Sequence, residues 1–519
     1  MGVHDYFAEL TPDHPVAALA PDLVAAFRAA GYTNAGLHGY LGPEATEALY
    51  RGEPAAVDVA CGNDQLGDII RAFVLHQPVE RDLLVRSVGA DLTAGLCAAG
   101  VALADAAARL QVCLDIRPHV ISGRDVWVFS DVDAALVSHV PGPDHVLGVG
   151  SASLSLIRST PTSAVDSVLD LGTGSGVQLL GQLDCANRIV GTDVHPRALA
   201  LAQATVNGAL AAASASENPA VELRQGSWFA PVAGETFDRI VANPPFVVGL
   251  PEVGHVYRDS GLNLDGASEL VVSQAIEHLN PGGTAHILAA WVHCEEETWQ
   301  QRVASWLPST GVAAWVIQRD VADPSLYVAT WLKDESVDVR SAAGQDKARL
   351  WLEHLRDHGV YGIGFGFVAL QRIGDDEPSD VLAEYMPQAF DDPLGPEVEE
   401  YFARVAWLRN LAPGELEASR FRLRPGLAKE DISLPNQEEG GFARAVLRLT
   451  RTEGPRWSHE VDEHLAAIVA GLRPDGLSLH DTVDIYAAFN DLDADALLQA
   501  VTPAIVDLVR HGLVLPAQL

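Results

Sequence analysis

The chain has 519 residues, 48% of them hydrophobic and 20% charged, a balance typical of folded globular proteins. This length exceeds what one core usually supports, so we expect two to four domains. The net charge of −36 argues against a protein that coats itself with nucleic acid. The absence of long apolar runs, of C-x-x-C pairs and of a signal-like N-terminus predicts no membrane span, no structural zinc and a cytoplasmic location.

Residues 1–140 carry apolar side chains at helical spacing, interrupted by Gly and Pro, which predicts a mostly helical N-terminal domain. Two short alternating runs, at 112–118 and 126–129, predict a small hairpin after the helices. Helices followed by a hairpin are typical of a winged-helix arrangement. Winged-helix domains can bind nucleic acids or other substrates, and they can also form dimer contacts.

Residues 141–373 alternate between strand and helix patterns, which predicts an α/β domain with a parallel sheet covered on both faces. A helical insertion at 324–358 precedes a late, long final strand. Seven strands in this arrangement are typical of a Rossmann-like fold. The predicted strands lie at 167–171, 188–193, 221–225, 239–242, 284–290, 313–318 and 361–371.

Residues 380–519, which follow an acidic linker, are predicted to form a C-terminal α+β region. Its last segment, VDLVRHGLVLP (506–516), predicts a helix, a Gly turn and a short strand, again similar to a winged helix. Between Arg420 and Arg456 lie seven arginines and one lysine against five acids. This stretch is either a solvated surface or a strip that follows phosphates.

The segment SVLDLGTGSGVQ (167–178) predicts a buried strand, a glycine-rich turn and a helix N-terminus. Gly172, Gly174 and Gly176 allow the backbone to approach a ligand closely, and Thr173 lies among them. Asp170 precedes the turn. A carboxylate there suits a ligand with a cationic end, such as S-adenosylmethionine, and would repel a pyrophosphate.

Two further strand ends carry residues suited to a nucleoside. Asp193, followed by Val194, ends the second strand, and an acid at that point can accept both hydroxyls of a ribose. Ser227 and Trp228 follow the third strand, where the adenine is expected. Since the carboxyl ends of neighbouring parallel strands form one crevice, we predict a single cofactor site.

The sequence FDRIVANPPFVVG (237–249) places Asn243 directly after an apolar strand. The lone pair of an amide or exocyclic amine is delocalised, so that nitrogen is a poor nucleophile. The Asn243 side-chain oxygen and the Pro244 carbonyl can accept its two N–H groups and concentrate electron density on it. Pro244 and Pro245 stiffen the loop, and Phe246 offers a flat surface for stacking.

On these motifs, residues 165–290 resemble the class I methyltransferases with an Asn-Pro-Pro-(Tyr/Phe) motif. That group includes the release-factor glutamine methyltransferases and the small-domain rRNA and tRNA base N-methyltransferases. The resemblance implies a seven-stranded fold, S-adenosylmethionine as cofactor and S-adenosylhomocysteine as product. It implies cofactor contacts from Asp170, Gly172, Thr173, Gly174, Gly176, Asp193, Val194, Ser227, Trp228 and Asn243, and catalysis by Asn243, Pro244, Pro245 and Phe246.

The substrate is predicted to be a macromolecule, with an RNA or DNA base first and a protein glutamine, a peptide or a small metabolite as alternatives. A module that keeps the fold without catalysis is a further alternative. Tyr257, Arg258 and Asp259 follow the Asn-Pro-Pro-Phe loop and are candidates for substrate contact, with helix capping as the structural alternative. The segment 144–153 is predicted to be either a lid over the cofactor or a linker. No metal site is predicted, because the histidines lack ligand spacing.

Overall fold

A computed structural model describes residues 10–133, 135–137, 142, 144–212, 218–250, 260–334, 337–388, 394–438 and 440–519. The chain divides into two compact units. The first comprises the chain as far as Ile157 together with Thr162–Tyr385, and the second comprises Arg158–Pro161 and Met386–Leu519. None of the helices within the described ranges is both long and apolar enough to cross a membrane.

The first unit begins with helices followed by short strands, as the N-terminal pattern predicts. Helix α2 kinks at Gly42 (φ +72°), just before Pro43. The hairpin β3–β4 turns at Ser122 and Gly123, both at positive φ, as a two-residue turn between twisted strands requires. The elements are α1 Val16–Ala29, α2 Asn34–Tyr50, α3 Pro54–Ala60, α4 Gln65–Ile69, α5 Arg81–Val88, α6 Ala90–Ala98, β1 Ala102–Ala104, β2 Leu110–Val112, β3 Asp115–Ile121 and β4 Arg124–Ser130, with a π-helical turn at Ile70–Val74.

An eight-stranded mixed sheet forms the centre of the first unit, and all seven predicted strands are in it. The strands are β5 Val165–Leu171, β6 Ala186–Asp193, β7 Ala220–Gln225, β8 Phe237–Ala242, β9 Leu279–Cys294, β10 Val312–Ala322, β11 Val360–Arg372 and β12 Asp380–Tyr385. Their order is β12-β10-β11-β9-β8-β5-β6-β7, with β11 antiparallel to both neighbours. Strand β12 pairs with β10, so residues that we predicted as the start of the C-terminal region belong to this sheet.

Helices cover the sheet on both faces. Helix α9 has the bounds predicted for it, and the predicted insertion consists of α12 and α13. The helices are α7 Ser151–Ser159, α8 Val177–Leu180, α9 Pro196–Ala212, α10 Gly266–Ala275, α11 Trp299–Ser305, α12 Pro324–Asp334 and α13 Ala342–Asp357. Helix α1 packs on α9 at Gly208, where a Cβ would lie 2.9 Å from the Val24 side chain. The N-terminal helices therefore share a core with the sheet's own helix, and the predicted boundary near residue 140 stays a prediction.

The second unit contains helices and two small sheets, which fits an α+β region. Its elements are α14 Gly395–Arg409, α15 Glu415–Ala418, β13 Phe421–Leu423, β14 Leu427–Pro435, β15 Phe442–Arg451, β16 Ser458–Glu460, α16 Glu463–Gly471, α17 Leu479–Asn490, α18 Ala494–Arg510 and β17 Val514–Pro516. Strand β17 pairs with β13, and β14, β15 and β16 form the other sheet. Helix α18, Gly512 (φ +67°) and β17 reproduce the predicted helix, turn and strand. The winged-helix comparison itself stays a prediction for both ends.

Candidate functional site

The carboxyl ends of four neighbouring parallel strands meet at one edge of the sheet. From β5 the chain continues to β6 and β7 on one side and then returns to place β8 on the other. Leu171 lies beside Ala242 in the register of β5 and β8, so the residues that follow them, Gly172 and Asn243, begin adjacent loops. This reversal of strand order is where open α/β sheets form ligand crevices.

Asp170 supplies a buried carboxylate directly beneath the glycine-rich turn, with 1% of its surface exposed. Its Oδ2 accepts hydrogen bonds from the Thr173 hydroxyl (2.6 Å) and the Leu179 N–H (3.1 Å), whereas its Oδ1 is buried without a hydrogen-bond partner. Burial, together with the nearby charge of Asp193, raises the pKa of Asp170 to about 7. A cationic group next to Oδ1 would satisfy this oxygen and stabilise the charged form.

The turn at residues 172–176 leaves open space where side chains would otherwise stand. Gly172, Gly174 and Gly176 have φ of +71°, +54° and +84°. A Cβ added at Gly172 or Gly174 would meet no atom within 4 Å, whereas one at Gly176 would touch Ala202. The Thr173 N–H donates to the Thr192 carbonyl at 2.8 Å and fixes the turn against β6. The backbone of the turn is thus held in place and accessible beside an unfilled space.

Asp193 joins the glycine-rich turn to the end of β6. One carboxylate oxygen accepts from the Gly174 N–H (3.0 Å) and the other from the His195 N–H (2.9 Å). Burial raises the pKa of Asp193. Each oxygen retains capacity for a second donor, as the two hydroxyls of a ribose would require. Val194, the next residue, is 49% exposed.

Ser227 and Trp228 follow β7 at the same edge. The Gly226 N–H donates to the Asp193 carbonyl at 2.9 Å, which brings this turn alongside the end of β6. Ser227 is exposed, and Trp228, at φ +49°, is half-buried against the core of the sheet. Both residues thus directly follow Gly226 at the end of β7, and their contact with an adenine stays a prediction.

The Asn243–Phe246 loop leaves β8 beside the glycine-rich turn. Asn243 is half-buried, and its amide nitrogen donates to the Ser153 hydroxyl of α7 at 3.3 Å. Pro244 is buried and Pro245 half-buried. Phe246 is half-buried and packs against two core clusters, so its ring is fixed without being enclosed. Asn243 is thus accessible and lies next to the candidate cofactor turn.

The insertion helices hold the backbone just after this loop, a role that the sequence did not reveal. The Val248 N–H donates to the Tyr327 hydroxyl at 2.7 Å, and the Val248 carbonyl accepts from the Trp351 indole N–H at 3.1 Å. Tyr327 and Trp351 are both buried. The only signal in the sequence was an aromatic-rich helical insertion before the last strand.

The segment 144–153 contacts both loops of the site. The Leu147 carbonyl accepts from the Ser175 hydroxyl at 2.7 Å, and the Ser153 carbonyl accepts from Gln178 at 2.9 Å. The Val146 N–H donates to Asp131 at 2.8 Å. These contacts hold the segment against the glycine-rich turn and α8, and the two alternatives of a lid and a linker stay predictions.

Asp131 is itself held by a buried bidentate ion pair with Arg197 of α9. Burial opposes a charge on Asp131, but the Arg197 hydrogen bonds outweigh it and keep the pKa of that carboxyl below its ordinary value. Sequence reasoning missed this pair, because the two residues are 66 positions apart and no local pattern joins them.

The residues predicted for substrate contact are not among those that the structure describes. Tyr257, Arg258 and Asp259 fall outside the described ranges. Across those ranges, no group of three or more His, Cys, Asp or Glu side chains could hold a metal ion.

Four arginines of the 420–456 stretch pair with carboxylates of the second unit. The side chains of Arg424 and Arg451 are only 13% and 5% exposed, so these two belong neither to a solvated surface nor to a strip that follows phosphates. The pairs are Arg424–Glu400, Arg444–Asp431, Arg444–Glu463, Arg448–Glu430 and Arg451–Glu397.

Three families match the chain. The family described as "Methyltransferase small domain" matches residues 147–301. Two domains of unknown function flank it, DUF7059 at residues 29–112 and DUF7782 at residues 399–516. The methyltransferase match covers the glycine-rich turn, Asp193 and the Asn243–Phe246 loop.

Curated relatives align over the same region. A release factor glutamine methyltransferase of Geobacter sulfurreducens is 37% identical over 142 residues, 24% of this chain and 45% of that protein. One from Bradyrhizobium diazoefficiens is 31% identical over 224 residues, 39% of this chain and 72% of that protein. A ribosomal RNA small subunit methyltransferase C of Erwinia tasmaniensis is 29% identical over 178 residues, 34% of this chain and 46% of that protein. This chain thus spans less than half the length of the Geobacter and Erwinia relatives.

Proposed function

This chain belongs to the class I S-adenosylmethionine-dependent methyltransferases, and from that premise we propose that it transfers a methyl group from S-adenosylmethionine to a planar nitrogen of a macromolecule. One observation carries the proposal. The glycine-rich turn after β5 and the Asn243–Phe246 loop after β8 are neighbours at the point where the strand order reverses. A methyl donor on the first loop and an acceptor on the second would therefore meet.

The residues present fit the proposed cofactor. Asp170 Oδ1 is a buried acceptor without a hydrogen-bond partner, which suits the cationic amino group of the methionine end. Each Asp193 carboxylate oxygen can accept a hydrogen bond from one ribose hydroxyl. Ser227 and Trp228, which follow β7, would contact the adenine. When bound, S-adenosylmethionine would supply an electrophilic methyl group on a sulfonium and leave as S-adenosylhomocysteine.

The Asn243 loop would activate and position the acceptor nitrogen. Asn243 Oδ1 and the Pro244 carbonyl would accept its two N–H groups, so that the lone pair is available for in-line attack. Two prolines hold these acceptors at a fixed separation, and Phe246 would stack on the planar group that carries the nitrogen. The proton lost from nitrogen can pass to water, so a dedicated base is not required.

Two kinds of methyl acceptor carry a planar nitrogen that this chemistry could methylate, and a separate observation supports each. Phe246, which is half-buried and therefore not fully covered by the core, suits stacking of a nucleic-acid base, and the Erwinia relative carries the name of an rRNA methyltransferase. A protein glutamine is the second candidate. The Bradyrhizobium relative, named for a release factor, is covered over 72% of its length, and the paired arginines of the second unit leave less charge for phosphates. The two relatives are named for components of translation, a release factor and ribosomal RNA, so the proposal includes a cytoplasmic location.

Transfer of a tritiated methyl group into a fractionated lysate tests the proposal. The purified chain and labelled S-adenosylmethionine are added to lysate that lacks the endogenous enzyme, and RNA, DNA, protein and small molecules are then separated. Label in RNA, or at an amide nitrogen in protein, supports the corresponding candidate. Absence of label from every macromolecular fraction, with cofactor binding intact, would refute the proposal.

A further inference from the structure

Helix α17 of the second unit carries apolar residues on both of its faces. Its inner face buries Leu479, Val483 and Ala487. On the outer face Ile485 is 59% exposed and Phe489, one turn later, is 89% exposed. A helix at a protein surface normally turns polar side chains outward, so this ridge is a candidate contact surface.

Acidic residues surround the ridge. Asp484, Asp491 and Asp493 are exposed beside Ile485 and Phe489. The sequence between Arg473 and Arg510 contains seven aspartates and neither Lys nor Arg. The surface thus combines an apolar centre with a predominantly acidic rim, in which the His480 imidazole lies 3.4 Å from the Asp484 carboxylate.

The negative charge around Ile485 and Phe489 limits the kinds of partner that could bind there. A second copy of the chain, paired about a two-fold axis, would place aspartates against aspartates, which is unfavourable. Nucleic acids and anionic membranes would be repelled for the same reason. A protein segment with apolar residues on one helical face and Lys or Arg on its flanks complements both properties.

We infer that α17 binds a cationic amphipathic helical segment of another protein. Its apolar residues cover Ile485 and Phe489, and its Lys or Arg side chains meet Asp484 and Asp491. The inference is independent of the proposed methyl transfer, since it concerns the second unit alone.

A binding measurement with the full chain tests the inference. The probe is a fluorescent peptide of about 18 residues with Leu at positions i, i+3, i+4 and i+7 and Lys elsewhere, followed by anisotropy. Phe489→Ser removes the apolar side chain that the peptide would cover, so it should weaken binding about tenfold or more. The control is Phe442→Ser on β15 of the same unit, which is 75% exposed and should change binding by less than about twofold.

Variants that neutralise aspartates beside the ridge distinguish binding at α17 from general attraction of a cationic peptide to an acidic protein. Asp484→Asn together with Asp491→Asn should weaken binding of the Lys peptide by at least about threefold, and Asn tolerates the left-handed backbone at position 491 (φ +58°). The inference is overturned if Phe489→Ser and Phe442→Ser bind the probe equally. It is also overturned if a Leu–Glu peptide binds as well, or if light scattering shows a dimer that Phe489→Ser abolishes.

Discussion

At Asp170, burial directly opposes the negative charge of the carboxylate. Its pKa of about 7, against an ordinary value of 3.8, means that the folded protein without ligand binds this proton more tightly than the unfolded chain. A cationic ligand at Oδ1 would favour the charged form. Affinity for S-adenosylmethionine should therefore rise between pH 6 and pH 8, and Asp170→Asn should weaken binding about tenfold and flatten this dependence. Calorimetric titration at several pH values measures both.

The same carboxyl predicts an effect on stability with the opposite sign. Because its folded-state pKa is raised, Asp170 destabilises the ligand-free protein increasingly as pH rises from about 4 to about 7. Without cofactor, Asp170→Asn should melt at a higher temperature than the wild type at pH 8, and the difference should shrink toward pH 4. A variant that is less stable than the wild type at pH 8 would contradict the assignment of a costly buried charge.

Arg197 and Asp131 form a buried pair, and Asp131 accepts a hydrogen bond from Val146 of the segment 144–153. Arg197→Met would leave a buried carboxylate without its cation, which costs about 3–5 kcal/mol at neutral pH. Urea unfolding followed by tryptophan fluorescence measures the loss. The control is Arg340→Met, since Arg340 and Asp338 have side chains 90% and 60% exposed and their pair should contribute less than about 1 kcal/mol. Equal midpoints for the two variants would show that the buried pair has no special role.

The insertion helices α12 and α13 hold the backbone that directly follows the Asn243–Phe246 loop. Tyr327→Phe removes the acceptor of the Val248 N–H and leaves that group buried and unsatisfied, two residues after Phe246. We expect the methyl-transfer rate constant to fall about tenfold while the cofactor dissociation constant is unchanged, because the glycine-rich turn is not touched. The rate and the dissociation constant are measured separately, by single turnover and by calorimetry.

Tyr361→Phe is the matched control for this effect, since Tyr361 lies on β11 and is 58% exposed. It should leave the rate unaltered. If Tyr327→Phe lowers cofactor affinity and rate together, the insertion supports the whole domain and not the loop specifically.

The elements of the sheet were predictable because strands and helices have distinct apolar periods. Helix α9 matched its predicted bounds at Pro196 and Ala212, and each of the seven predicted strands was found. Strand β12 was not predicted, because Asp380–Tyr385 is short and half-exposed at an edge, where no alternation of burial marks a strand. Contacts such as those of Tyr327 and Asp131 depend on tertiary packing, so no local pattern could reveal them.

The net charge of −36 bears on whether the methyl acceptor is RNA or protein. Arg444 is paired with Asp431 and Glu463 on the second unit and therefore adds little local positive charge. Arg444→Gln should change methyl transfer to RNA or protein by less than about twofold at either 50 or 200 mM salt. A loss of more than about fivefold with RNA alone, greatest at low salt, would show that this stretch contacts phosphates after all.

The central claim is that Asn243 activates the acceptor nitrogen beside a cofactor held on the adjacent loop. Single-turnover transfer of labelled methyl by Asn243→Ala, with cofactor binding measured on the same sample, tests it most directly. The control is Asn280→Ala, because Asn280 also precedes a proline but lies at the amino end of β9, bound to Asp238. We predict that the transfer rate constant falls about 10²–10³-fold in Asn243→Ala, far more than the affinity for the cofactor, and changes little in Asn280→Ala. Transfer by Asn243→Ala at the wild-type rate would contradict the account.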